Sequence, residues 1–125
     1  MTKCILIIDD EEDIRDITQL GLEMSMGWRV LTASSGQKGI AIAAAEQPDA
    51  ILLDVMMPDM DGRMTFAGLQ ANPQTQNIPV ILVTAKIQAS DQESFADLAV
   101  AGILTKPYRA MNVAEQICKI LAWTA

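Results

Sequence analysis

Residues 51–62 read ILLDVMMPDMDG, an apolar run that ends at Asp54 and is followed by a segment rich in turn-forming residues. Because its apolar residues are consecutive rather than alternate, the run suits a strand covered on both faces, as in a parallel sheet with helices on each side. Asp59, Asp61 and Gly62 are typical of a turn after such a strand. The stretch therefore predicts a buried parallel strand with an acid at its carboxyl end.

Four further apolar runs lie on either side of this one, and longer amphipathic stretches separate them. The predicted strands are Lys3–Ile8, Trp28–Ala33, Ala50–Asp54, Pro79–Thr84 and Gly102–Thr105. Strands that alternate with helices indicate an α/β fold. We therefore expect a (βα)5 arrangement, with a five-stranded parallel sheet and helices on both faces.

Several predicted helices have an apolar face or a start signal. The apolar face expected for the first helix is formed by Ile14, Ile17, Gly21 and Met24,. The one expected for the last helix is formed by Val113, Ile117, Ile120 and Leu121. In a capping box, two residues three positions apart each accept the other's backbone N–H with a side chain at the start of a helix. This spacing occurs at Ser90 with Glu93 and at Asn112 with Glu115. These two pairs predict where the fourth and fifth helices begin.

The composition is that of one compact globular domain, which we expect to span residues 1–125. Half of the residues are hydrophobic, a fifth are charged, and the formal net charge is −7. The nine Lys and Arg residues are scattered along the chain, which argues against direct binding of nucleic acid,. The apolar stretch at the N-terminus is too short for a secretion signal or a membrane span. We expect a cytoplasmic protein without membrane insertion.

The sequence contains no histidine and two cysteines. Histidine-based catalysis, a histidine-ligated metal and a histidine phosphorelay within this chain are therefore excluded. Cys4 and Cys118 lie far apart, each in an apolar run, without the paired spacing of a zinc or redox motif. We expect both to be buried thiols in a reducing compartment.

Polar residues stand at the ends of the predicted strands. In an open parallel sheet, functional groups gather beyond the carboxyl ends of the strands, near the point where the strand order reverses. The residues at these ends are Asp9, Asp10, Asp54, Thr84 and Lys106. We therefore expect three carboxylates, a hydroxyl and an ammonium group to converge on one edge of the sheet.

These groups suit phosphoryl transfer to a carboxylate, which needs a nucleophile, a cation and hydrogen-bond donors for the phosphoryl oxygens. Mg²⁺ prefers hard oxygen ligands and keeps some of its waters, so a few carboxylates and a backbone carbonyl would hold it, and Mn²⁺ is possible. The expected ligands are Asp10 and Asp54 directly, Asp9 through water, and the backbone carbonyl of Met56. The expected donors to the phosphoryl oxygens are Thr84 and Lys106.

Four segments together resemble the receiver domain of two-component response regulators. They are IIDDEEDIR (7–15), ILLDVMMPDMDG (51–62), ILVTA (81–85) and LTKPY (104–108). The resemblance covers essentially the whole chain and holds in order, spacing and residue type. It implies a flavodoxin-like fold with strand order 2-1-3-4-5.

By position, the resemblance makes Asp54 the phospho-acceptor, and Thr84 and Lys106 the residues that sense the phosphoryl group. It assigns the cation site to Asp9, Asp10 and the Met56 carbonyl. It also implies two kinds of partner. The donor would be a sensor histidine kinase or a phosphotransfer protein, and a downstream protein would bind the face formed by the fourth helix, fifth strand and fifth helix.

One position departs from the family's pattern. Ile103 stands where many members have a Tyr or Phe that turns inward on activation. We therefore expect a subtler structural response, carried by smaller repacking around Ile103.

Taken singly, most of these residues have ordinary structural interpretations. Asp9 and Asp10 would equally suit a helix N-terminus, where carboxylates are favoured. Asp54 alone could form a strand-end turn, Thr84 an ordinary part of a strand, and Lys106 part of the surface. Their placement at successive strand ends is what favours the functional interpretation.

Other functions are compatible with this fold class. Magnesium phosphatases of the haloacid-dehalogenase type use an Asp nucleophile and share a second Asp two residues after it. This chain has Met56 at that position. We therefore expect slow turnover, and a signalling domain rather than an enzyme. A flavodoxin-type FMN binder needs a Ser/Thr/Gly-rich loop after the first strand, and the acids at positions 9–12 would repel its phosphate. An inert receiver-like scaffold usually lacks one of the acids or the lysine, and none is lacking here.

Overall fold

The computed structural model describes residues 3–55, 62–84, 100–105 and 110–123. The strands are Cys4–Ile8 (β1), Arg29–Ala33 (β2), Ala50–Asp54 (β3), Val80–Thr84 (β4) and Gly102–Thr105 (β5). The helices in these ranges are Glu12–Met26 (α1), Gly36–Glu46 (α2), Gly62–Ala71 (α3) and Ala110–Leu121 (α4). The helix predicted between β4 and β5, with its Ser90–Glu93 pair, falls outside the described residues. The helix labelled α4 is therefore the fifth one predicted from the sequence.

The five strands form one parallel sheet in the order β2-β1-β3-β4-β5, which confirms the expected fold class and strand order. Ile8, the last residue of β1, is paired with Ala33 of β2 and with Leu53 of β3. Asp54, the last residue of β3, is paired with Val83 of β4. This register places the carboxyl ends of β1, β3 and β4 side by side.

Both faces of the sheet are covered, because successive residues of a strand point to opposite sides. In β1, Ile5 and Ile7 pack in one core with α1 and α4, whereas Leu6 and Ile8 pack in a second core with α2 and α3. Full burial of one such side chain contributes about 1.5–3 kcal/mol relative to exposure. The two cores account for the consecutive apolar residues of the strands and fix the edge from which the acids project.

The C-terminal cap of α1 and the N-terminal cap of α2 fix the two ends of the segment that contains β2. α1 is capped at its C-terminus by Gly27, whose φ of 66° lies in the left-handed region that glycine adopts without strain. The N–H of Gly27 donates to the carbonyl of Glu23 at 2.9 Å,. α2 is capped by Ser35, whose hydroxyl oxygen accepts the N–H of Lys38 at 3.2 Å,. The chain thus leaves β2 and enters α2 through a short turn at the same edge as the acids.

The apolar face predicted for α1 is partly wrong. Gly21 is buried, but Ile17 and Met24 are 56% and 69% exposed. The buried face is formed by Thr18, Gly21 and Leu22. Thr18 has a short side chain and Gly21 has none, so this face of the helix can lie close to its neighbours.

Smaller differences occur at the ends of elements. β1, β2 and β4 each begin one residue later than predicted. α4 begins at Ala110, so Asn112 lies within the helix and does not cap it. The expected apolar face of α4 is confirmed, since Val113 and Ile117 are fully buried. Cys118 is buried as expected, whereas Cys4 is partly exposed.

Candidate functional site

The candidate site lies where β1, β3 and β4 end. The N–H of Asp9, the residue after β1, donates to the carbonyl of Ala33 at 3.1 Å and so continues the pairing with β2. The N–H of Val55 donates to the carbonyl of Val83 at 3.0 Å and in the same way continues the pairing of β3 with β4. Asp9 and Asp54 are therefore held on adjacent strands by regular backbone hydrogen bonds.

Three carboxylates converge at this edge. One carboxylate oxygen from each of Asp9, Asp10 and Asp54 lies within 4.8 Å of the others. Asp9 and Asp54 are each only 3% exposed, whereas Asp10 is exposed. Hard oxygen ligands at this spacing, with one side open to water, match what Mg²⁺ and Mn²⁺ prefer. The residues present thus fit a divalent cation, and the structure brings together the three acids predicted from the sequence.

Asp9 is oriented by the start of α1. Its Oδ1 accepts the N–H of Glu11 at 2.9 Å, and its backbone carbonyl accepts a hydrogen bond from Nη1 of Arg15 at 2.8 Å. The N–H of Arg15 also donates to the carbonyl of Glu11 at 3.1 Å. Arg15 therefore links the first turn of α1 to the loop that precedes it. Arg15 was not among the predicted site residues, although it ends the segment 7–15. The sequence signal that could have identified it is an arginine in the first turn of a helix, shortly after two adjacent aspartates.

Asp54 is supported from behind by the start of α3. The N–H of Gly62 donates to the carbonyl of Val55 at 3.0 Å. A Cβ on Gly62 would lie 2.7 Å from the Cα of Val55 and 3.1 Å from the carbonyl oxygen of Asp54. Both atoms belong to the backbone and have little room to move. A glycine is therefore required for α3 to begin this close to the acceptor strand.

The hydroxyl predicted for the site is also at this edge. Thr84 is the last residue of β4, is 5% exposed, and is paired with Thr105 at the end of β5. Lys106 follows Thr105 in the sequence, and Met56 follows Val55, but both lie outside the described residues. The structure thus brings four predicted site residues to one edge: Asp9, Asp10, Asp54 and Thr84.

One other surface feature is separate from this edge. A hollow of about 550 Å³ lies between the end of α2 and the segment before β4, near the amino ends of the strands, and contains none of the predicted site residues. Among the helices in the described ranges, none is both long and apolar enough to cross a lipid bilayer.

A parallel sheet in the order 2-1-3-4-5, with three clustered carboxylates at its carboxyl edge, defines a flavodoxin-like α/β protein with an acidic site at the strand ends,. The chain belongs to the response regulator receiver domain family, whose family model matches residues 5–118. This confirms the resemblance found in the sequence.

Two curated relatives are named as transcriptional regulators. The chain is 39% identical over 118 residues to the DNA-binding dual master transcriptional regulator RpaA of Synechocystis, covering 94% of this chain and 47% of that protein. It is 37% identical over 121 residues to the alkaline phosphatase synthesis transcriptional regulatory protein PhoP of Bacillus subtilis, covering 97% of this chain and 49% of PhoP. The chain thus spans about half the length of these curated relatives.

The fold is also that of a solved chemotaxis protein. CheY4 of Vibrio cholerae superimposes with a TM-score of 0.88, over 96% of this chain and 99% of that chain, at 23% identity. At this level of identity the similarity supports the fold and no finer assignment.

Proposed function

We propose that this chain is a phospho-accepting switch, in which Asp54 receives a phosphoryl group at a divalent-cation site formed with Asp9 and Asp10. The observation that carries the proposal is the convergence of three carboxylates within 4.8 Å at the ends of adjacent strands. Two buried acids that share a site are costly to keep ionised unless they are paired, hydrogen-bonded or bound to a metal. Membership of the receiver family supports the same assignment.

The proposed cation ligands are Asp9, Asp10, Asp54 and the backbone carbonyl of Met56. Mg²⁺ is the favoured ion and Mn²⁺ an alternative, because every proposed ligand is a hard oxygen. When bound, the cation would supply positive charge that offsets crowding between carboxylate and phosphoryl oxygens. The chain's own contribution is to hold the acids in place through the strand register and the hydrogen bonds to Asp9.

The proposed reaction is transfer of a phosphoryl group to a carboxylate oxygen of Asp54. A new bond forms between that oxygen and phosphorus while the bond between phosphorus and the donor breaks, and the donor leaves with its bonding electrons. Since the sequence has no histidine, a phosphohistidine donor would belong to a sensor histidine kinase or a phosphotransfer protein. The hydroxyl of Thr84 and the ammonium group of Lys106 would donate to the phosphoryl oxygens.

The phosphorylated state would act as a signal rather than as a step in turnover. A haloacid-dehalogenase-type phosphatase would need an acid two residues after the nucleophile, and this chain has Met56 there. Without that acid, water attacks the acyl phosphate slowly, so the modified state persists. A multiple-turnover assay on small phosphate esters should therefore give no sustained release of phosphate.

The signal would be read by a protein partner at the face that includes β5 and α4. Ile103 of β5 pairs with Leu82, is partly buried, and packs against the core beneath α2 and α3. An aliphatic side chain in this position changes its packing by small shifts rather than by rotation of a ring. A phosphoryl group would bias this face only as far as it binds one arrangement better than the other.

The acceptor assignment can be tested by intact-mass measurement after incubation with acetyl phosphate and Mg²⁺. The wild-type chain should gain the mass of one phosphoryl group, and Asp54→Asn should gain none. Asp13→Asn is a matched control, because it removes an exposed carboxylate in the first turn of α1 and leaves the cluster intact. Equal phosphorylation of Asp54→Asn and wild type would disprove the assignment.

The cation assignment can be tested by thermal unfolding with increasing Mg²⁺. An ion that binds only the folded state stabilises it by RT ln(1 + [L]/Kd), which is about 1.4 kcal/mol at ten times Kd. Asp10→Ala should lose most of this stabilisation, because it removes one of the three clustered carboxylates. If this variant kept the full increase in Tm, Asp10 would not be a ligand.

A further inference from the structure

Arg15 places a positive charge against the acidic cluster without belonging to it. Its Nη1 donates to the backbone carbonyl of Asp9 at 2.8 Å, and the side chain is half-buried. We propose that Arg15 sets the cation affinity of this site: it stabilises the cation-free protein and weakens the binding of the divalent ion. This inference rests on the proposed binding of a cation at Asp9, Asp10 and Asp54.

The interaction could act through geometry or through charge, and the two effects have opposite signs. If Arg15 mainly holds the Asp9–Asp10 loop in place, its loss would loosen the ligands and weaken cation binding. If it mainly supplies charge, its loss would remove a repulsion and strengthen binding. The structure favours charge, because Asp9 has two further anchors.

Neither of these anchors involves the Arg15 side chain. The N–H of Asp9 donates to the carbonyl of Ala33 at 3.1 Å, and its Oδ1 accepts the N–H of Glu11 at 2.9 Å. The first extends the pairing of β1 with β2, and the second is a local turn at the helix start. Both should persist when Arg15 is replaced, so the acid keeps its position while its neighbourhood loses a positive charge.

The same charge has different consequences in the two states of the site. Without a cation, three carboxylates lie within 4.8 Å of one another, and the guanidinium group offsets part of their repulsion,. With a divalent cation bound, two of the three negative charges are offset, and the guanidinium group faces the two positive charges of the ion. By linkage, a group that stabilises only the empty state must weaken binding.

The size of the effect follows from Coulomb's law. A group bonded to the carbonyl of Asp9 lies roughly 8 Å or less from a cation bound to the carboxylate of the same residue, given ordinary covalent dimensions. A single and a double charge at about this distance change an equilibrium constant about tenfold when the effective dielectric constant is about 60, closer to that of water than to that of a protein surface. Added salt should reduce this factor, because the Debye length at physiological ionic strength is also about 8 Å.

The test compares Arg15→Met, Arg15→Lys and Arg29→Met. Arg29→Met is a matched control, because it makes the same change in net charge at the start of β2. Arg29 is separated from Ala33 by the length of the strand, about 13 Å, and its own partner is Glu46 at the opposite edge of the sheet,. Each variant is titrated with MgCl₂ while the amide resonances of residues 9–11 are followed, and is melted in the absence of divalent ions.

We expect Arg15→Met to bind Mg²⁺ about tenfold more tightly than wild type and to have a lower Tm without the ion. Arg15→Lys, which keeps the charge, should restore nearly wild-type affinity, and Arg29→Met should leave it unchanged. The difference between Arg15→Met and wild type should shrink as NaCl is added. If Arg15→Met does not fold, Arg15→Gln is expected to show the same tightening.

Unchanged or weaker Mg²⁺ binding by the neutral variants would overturn the inference, and so would equal tightening in Arg15→Lys. If the wild-type chain itself bound no Mg²⁺, the proposed cation site would fail and this inference with it. Failure of the inference alone requires a wild type that binds normally and an Arg15→Met variant that binds no better. The wild-type titration therefore separates the two failures.

Discussion

Replacing Gly62 with alanine should disturb both stability and the acceptor, although it adds one methyl group. The new Cβ would lie 2.7 Å from the Cα of Val55 and 3.1 Å from the carbonyl oxygen of Asp54. No flexible side chain is available to move aside, so α3 must shift away from β3 or the backbone after Asp54 must move. Either shift would strain the hydrogen bond from the N–H of Gly62 to the carbonyl of Val55.

The cost can be estimated from two opposing effects. Forcing a methyl group into a packed site typically destabilises a protein by about 1–3 kcal/mol. Alanine is a better helix former than glycine by up to about 1 kcal/mol in a helix interior, and less at the first residue of α3. We therefore expect a net loss of about 1–2 kcal/mol, which for a domain of this size lowers Tm by roughly 4–10 °C.

Gly68→Ala in the same helix is the control. There the new Cβ would lie 2.6 Å from the Cδ1 of Ile40, the far end of a flexible side chain, with no backbone atom among its near neighbours. It should therefore be close to neutral or slightly stabilising. Thermal unfolding and the rate of phosphorylation by acetyl phosphate are measured for both variants. If Gly62→Ala matched Gly68→Ala in both, the argument that the backbone of the acceptor strand needs this glycine would be refuted.

Two further predictions concern the amino edge of the sheet. Trp123→Ala should lower the free energy of unfolding by about 1–3 kcal/mol in a urea titration, because it removes an edge-to-face contact with Trp28 at 5.7 Å,. Trp123→Phe should retain most of the wild-type stability, because it keeps an aromatic ring. Equal losses of stability in the two variants would count against the ring contact. Burial raises the pKa of the Cys4 thiol, and Asp49 adds to the increase, so in a Cys118→Ser background iodoacetamide should react with Cys4 at a higher pH than with free cysteine,. Asp49→Asn should shift this profile to lower pH, and an unaltered profile would exclude its carboxylate as a cause.

The fold was predictable because strands that are buried on both faces appear in the sequence as runs of consecutive apolar residues. A strand covered on both faces needs them at every position, and β3, with all five residues buried, was predicted with its observed bounds. The face of α1 was harder to predict. Hydrophobicity favours burial of Ile17 and Met24, whereas the small residues Thr18 and Gly21 allow close packing of the helix. The pattern of apolar residues does not show which of these two effects determines the buried face.

The site was predictable to the extent that it depends on strand ends. Asp9, Asp10, Asp54 and Thr84 each follow or end an apolar run, and a parallel sheet brings such positions together. The supports of the site were not predictable in this way. The hydrogen bond from Arg15 to a carbonyl six residues earlier, and the contact of Gly62 with the acceptor backbone, depend on distances that a sequence pattern does not encode.

These supports explain how an acidic site of this kind can be stable and still bind a cation. Bringing like charges together in a buried place is costly, and Asp9 and Asp54 are each 3% exposed,. The N–H of Glu11 and the guanidinium group of Arg15 offset part of that cost at Asp9. Whatever repulsion they leave uncompensated becomes available as binding energy when a divalent ion enters, because binding to the folded state is linked to its stability. Complete compensation of the acids would remove this source of binding energy, so the proposed function requires that part of their repulsion remain in the cation-free protein.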